Sequence, residues 1–143
     1  MNKKENGITV LELLVSIFIG MIIITTSVPA LSSFFSRIEI QNAVFHITTS
    51  LSQARYYSLS ESRKVRFLYS NKQINLQIKK NHKWQTYKSK RLKGDVNINI
   101  NSFPVFNPKG YATPMCSIKI SNNYYSYTIS LSFAGRIKIK KIG

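Results

Sequence analysis

An α+β protein is predicted, with a long N-terminal helix packed on antiparallel β-sheets. Three observations carry this. No ionisable side chain appears between Leu13 and Phe35. Beyond that run, Ile40, Val44, Ile47, Leu51 and Ala54 recur at spacings of 4, 3, 4 and 3, one apolar stripe down an amphipathic helix. From Lys64 onward the apolar period drops to two, the signature of strands with one buried face.

The N-terminal half of the helix comes first. At about 1.5 Å per residue, the run from Leu13 to Phe35 reaches roughly 35 Å, enough to cross the hydrocarbon core of a bilayer. Glu12 stands at its mouth. An unpaired carboxylate there is costly to bury, so an intramembrane acid points to function and to a cationic partner. Lys3 and Lys4 favour a cytoplasmic N-terminus, and the long basic domain that follows crosses regardless of its charge. An ordinary secretory signal has a shorter apolar region, and Pro29 spoils the small-residue site around Ala30. The helix is expected to run from about Ile8 to Ser58, kinked near Pro29, where the ring removes a hydrogen bond and crowds the preceding turn.

The strands follow in order. Val65, Phe67 and Tyr69 alternate, Ser70-Asn71-Lys72 turns, and Ile74, Leu76 and Ile78 alternate back. Asn81-His82 turns into a strand with Trp84 and Tyr87; Gly94-Asp95 precedes Val96, Ile98 and Ile100. Phe103 to Gly110 reads as a loop. Ile118 and Ile120 lead through Asn122-Asn123 to a strand around Tyr125–Phe133, and Ile137 and Ile139 end the chain. About seven short strands are expected.

Charge is the second anomaly. The chain holds 21 Lys+Arg against 5 Asp+Glu, a formal +16. Such basicity implies polyanionic partners: nucleic acid, anionic lipid or acidic polysaccharide. With Ile137 and Ile139 facing in, Arg136, Lys138 and Lys140 face out, about 6.8 Å apart in succession, roughly two phosphates along one DNA strand. Lys141 follows. A second basic run, Lys88–Lys93, lies beside Tyr87 and would extend the patch, or is a solvated face. Tyr124, Tyr125 and Tyr127 are candidates for base stacking, although strand-face packing explains the last two better.

Catalysis finds no support. No acidic pair has general acid–base spacing, no His/Cys cluster suits zinc, and no glycine-rich phosphate loop follows a strand. No metal or cofactor is expected. Cys116 stands alone, which excludes an intrachain disulfide and suits a small buried apolar residue. His46 has no second ligand at metal spacing and is expected to face solvent or a groove.

Gly7, Ile8, Glu12 and the apolar run resemble the type III signal of type IV pilins and of type II secretion pseudopilins. The resemblance implies a prepilin peptidase that cuts between Gly7 and Ile8 and N-methylates Ile8, which stands where phenylalanine or methionine is more usual. It makes Glu12 the fifth mature residue, whose carboxylate pairs with a processed amine during assembly, and it places Pro29 at the usual kink. Phe106-Asn107-Pro108-Lys109-Gly110 and Phe133-Ala134-Gly135-Arg136-Ile137 resemble the GspH/FimT family of minor pilins and minor pseudopilins. Members of that family from naturally transformable bacteria bind DNA through a Gly-Arg-x-Arg motif. Gly135, Arg136, Ile137 and Lys138 match it, with lysine in place of the second arginine.

The implied organisation is a leader at 1–7, a transmembrane and assembly helix at 8–35, and a pilin-like domain at 36–143, helical to about 58. The implied protein is a minor pilin of a type IV pilus, near the filament tip, single-pass in the inner membrane, with other pilins and double-stranded DNA as partners. The alternative is a minor pseudopilin of type II secretion that contacts other pseudopilins or secreted substrates.

Overall fold

The computed structural model describes residues 9–142, without the side chains of residues 26–30. One helix, α1, spans Val10–Ser60 and passes through Pro29 as a single element. Thr9 caps it: its Oγ1 accepts a hydrogen bond from the Glu12 amide at 3.2 Å, the N-cap geometry that satisfies an orphan first-turn donor. The chain divides into two compact units, Met1–Phe35 and Ser36–Gly143.

In the first unit the apolar side chains are exposed around the whole helix; Leu11, Leu14 and Phe18 are as open as Leu13, Ile17 and Ile24. Its hydroxyls bond to the helix's own carbonyls, Ser16 Oγ to Glu12 O at 2.8 Å and Thr25 Oγ1 to Ile22 O at 2.9 Å.

In the second unit the remainder of α1 buries its apolar stripe against two sheets. Ile40, Ile47, Leu51 and Ala54 are fully buried and Val44 nearly so, in one core with Phe67, Phe106, Ile118, Ile120 and Ile129. Nine strands follow among the described residues: β1 (Val65–Ser70), β2 (Gln73–Lys80), β3 (Lys83–Arg91), β4 (Asn97–Ile100), β5 (Val105–Phe106), β6 (Ala112–Thr113), β7 (Cys116–Ser121), β8 (Ser126–Leu131) and β9 (Ile137–Lys141). Every pairing is antiparallel. One sheet has the order β3-β2-β1-β5-β6 and the other β4-β7-β8-β9.

The two tight hairpins have φ of 51° and 58° at Asn71 and Lys72, and 47° and 65° at Asn81 and His82. Two successive positive φ values give the turn whose twist matches the flanking strands. The expected loop from Phe103 to Gly110 instead contains β5. Phe106 is fully buried and pairs with Val65 and Ala112, so a two-residue strand forms where the periodicity is too short to read.

Candidate functional site

Gly7 and Ile8, the expected cleavage and methylation positions, lie outside the described residues. Glu12 is described. It sits exposed in the first turn of α1, where a carboxylate complements the positive helix end. Thr9-Val10-Leu11-Glu12 also has the S/T-x-x-E spacing of a capping box, a signal the pilin resemblance overshadows. Pro29 is inside α1, with its side chain among those not described. No helix among the described residues is long and apolar enough to cross a membrane. The run from Leu13 to Phe35 includes residues 26–30, whose side chains are outside that set.

The C-terminal strand is the edge of the four-stranded sheet, paired on one side by β8. The register sets Ile139 opposite Ile129, Lys138 opposite Ser130 and Lys140 opposite Thr128. Lys138 and Lys140 therefore share the outer face and are exposed, as is Arg136 just before the strand. The inward half of the expectation needs correction. Ile139 is 53% exposed although Ile129 beside it is fully buried. It has the right face but sits on the outermost strand, past the cover of the core. Lys141, exposed as well, alternates onto the Ile139 face, and its Nζ lies 5.3 Å from the centre of the Tyr125 ring, a cation–π contact. Tyr125 and Tyr127 pack against the core, so neither is free to stack on bases.

The Lys88–Lys93 run does not continue this row, because β3 is the edge of the other sheet. Lys88 Nζ donates to Gln53 Oε1 at 2.9 Å, tying the strand to α1. Lys90, Arg91 and Lys93 line a groove with Glu39, Asn42 and His46. Burial, and secondarily the Lys90 charge, hold the His46 imidazole below its ordinary pKa. On the outer face of that sheet the Arg66 guanidinium stacks 4.5 Å from the Trp84 ring centre.

Sequence reasoning missed Arg55. Its Nη1 donates to the Gly135 carbonyl at 3.2 Å, and its buried Nε has no acceptor. Arg55 thus anchors the turn that presents Arg136, and Gly135, at φ 72°, lets the chain pass close to it. A contact eighty residues apart leaves no local signal. Around it Arg55, Tyr56, Leu59 and Arg136 line an open cleft. Cys116 is buried, and burial pushes its thiol up against the opposing effect of Ser102 hydrogen bonds. Among the described residues no cluster of three His, Cys, Asp or Glu is placed to hold a metal ion.

Solved structures of two proteins, among others, match this arrangement over most of their length. The type IV minor pilin FimU of Pseudomonas aeruginosa superposes with a TM-score of 0.65 at 18% identity, over 75% of this chain and 92% of that one. The fold is pilin-like. The minor pseudopilin EpsH from the type 2 secretion system of Vibrio cholerae superposes with a TM-score of 0.63 at 9% identity, over 72% of this chain and 97% of that one. No protein-family model matches the chain, and no curated protein matches it. In this pilin-like fold the stripe from Ile40 to Ala54 is buried in the core, and β9 is an edge of the four-stranded sheet.

Proposed function

We propose that the chain is a minor pilin of a type IV pilus, a structural and assembly subunit at or near the filament tip, and not an enzyme. In this reading a prepilin peptidase removes residues 1–7 and N-methylates Ile8. Residues 8–35 then anchor the subunit in the inner membrane with the C-terminal domain outside, and Glu12 pairs with the processed amine of a neighbouring subunit. The membrane assignment rests on the sequence run from Leu13 to Phe35 taken whole, together with the apolar side chains exposed around α1.

The same reading gives β9 a ligand: double-stranded DNA for uptake in natural transformation, held without sequence preference by Arg136, Lys138 and Lys140. The observation that carries it is the exposed row on the edge strand of a chain with net charge +16. If about four phosphates are neutralised, log K falls with log salt at a slope near −3.6, roughly a hundredfold between 50 and 200 mM. Fluorescence anisotropy of the wild type and the Arg136→Gln/Lys138→Gln double mutant at several salt concentrations tests this. Reduced affinity and a shallower slope are expected; an unchanged slope moves the contact off β9. The second reading, a minor pseudopilin of type II secretion, draws on the comparable likeness to EpsH. Absence of DNA binding at low salt favours it, because its partners are proteins.

A further inference from the structure

The outer face of the four-stranded sheet is polar across its whole width, not only along β9. Strand register builds it row by row. Asn99 faces Lys119, Lys119 faces Thr128, and Thr128 faces Lys140. In the next row Ser117 faces Ser130, and Ser130 faces Lys138. No aspartate or glutamate occurs in β4, β7, β8 or β9. Lys119, Lys138 and Lys140 are all exposed. Strands about 4.8 Å apart put Lys119 roughly 10 Å from Lys140 across the sheet, while Lys138 and Lys140 lie about 6.8 Å apart along it.

We propose that this entire face docks the backbone of double-stranded nucleic acid, with Lys119 as an anchor two strands away from β9. The proposal rests on the DNA reading above and adds a residue and a geometry to it. Three lysines in two directions form a patch, which meets a rod of phosphates over an area. Serine and threonine hydroxyls between them supply neutral donors of the kind that position a phosphate backbone. Tyr127 points to the core side with its partner Ile120, so the centre of the face carries no ring. At the β4 edge, Tyr69 and Phe103 line a groove together with Asn99 and Lys119. Single strands are gripped by stacking on exposed aromatics as well as by charge. The outer positions from Lys119 across to Lys140 carry neither ring nor carboxylate, which suits the duplex, since it hides its bases and presents phosphates.

The test uses the full-length chain in neutral detergent, a fluorescent 20-base-pair duplex and its single strand. Lys119→Gln is expected to make the duplex salt slope shallower by about 0.9, so that affinity changes about 3.5-fold less between 50 and 200 mM. Lys119→Arg retains the slope. Lys83→Gln, on the edge of the other sheet, leaves it unchanged. A Lys119→Gln slope and affinity equal to wild type, while Arg136→Gln/Lys138→Gln weakens binding, overturns the inference and spares the β9 site. Tighter binding of the single strand overturns the choice of duplex. A wild-type chain that binds neither probe at low salt overturns the DNA reading beneath both. Lys119 is exposed, so an unchanged thermal melt is expected for each variant and confirms that binding differences are not unfolding.

Discussion

Replacing Gly135 by alanine perturbs the turn that joins β8 to β9 and therefore the placement of Arg136. The residue has φ 72°, in the left-handed region; a side chain there costs about 1–2 kcal/mol. A Cβ would lie 2.8 Å from the Gly110 carbonyl oxygen and 2.8 Å from Arg55 Nε. The arginine is a side chain and can give way, but only by loosening its 3.2 Å hydrogen bond to Gly135 O, a charged contact of about 1.5–3 kcal/mol. The Gly110 oxygen is backbone and cannot swing aside as a side chain does. Together the expected destabilisation is about 3 kcal/mol, and a domain near one hundred residues loses about 4–8 °C per kcal/mol, so the melting temperature should fall by roughly 15 °C. Circular dichroism melts of the full chain in detergent measure this, with Gly20→Ala as the control, since nothing lies within 4 Å of a Cβ added there. A Gly135→Ala melt within about 2 °C of wild type would show that the turn relaxes freely and that Arg55 does not anchor it.

Four further outcomes are expected. Because His46 has a depressed pKa in the fold, the unfolded chain binds more protons once pH drops below about 6.5. Stability therefore falls on acidification toward the folded value, and His46→Gln should lose less melting temperature than wild type between pH 8 and 5.5, with equal losses refuting this. Cys116, buried with its thiol pushed up, should resist iodoacetamide at pH 8 in the folded chain and react after denaturation; rapid labelling of the native protein would contradict its burial. Intact mass of membrane-extracted protein from cells with a prepilin peptidase should show loss of residues 1–7, and an uncut chain or a mature start at Leu31 would sink the pilin assignment. Glu12→Ala should insert normally yet be depleted from sheared filaments, and normal recovery would remove the acid from assembly.

How much of this was legible in advance depends on the range of the interaction concerned. The stripe from Ile40 to Ala54 and the alternation in β1 and β2 are set by burial on one face, so periodicity alone places them. The hairpin turns at Asn71-Lys72 and Asn81-His82 are equally local, because Asn71, Asn81 and His82, of types enriched at positive φ, are written at the turn. β5 and β6 are not local. Two residues carry no period, and they are strands only because Phe106 pairs across to Val65 and Ala112.

The same distinction separates face from depth at the proposed ligand site. Alternation put Lys138 and Lys140 on one side, as the β9 register does, since a strand's side chains change face at every residue. It assigned Ile139 to the core as well, and there it failed: facing inward buries a residue only where something covers it, and β9 is the last strand. Lys119 was invisible for the opposite reason. Its sequence neighbours Ile118 and Ile120 are buried, so it reads as an ordinary outward residue of a core strand. Only the pairing of β7 with β8, and of β8 with β9, brings it into line with Lys140. Charge read along the chain finds a row, whereas a phosphate backbone lying on a sheet meets a surface. The Lys119→Gln slope decides which of the two the ligand uses.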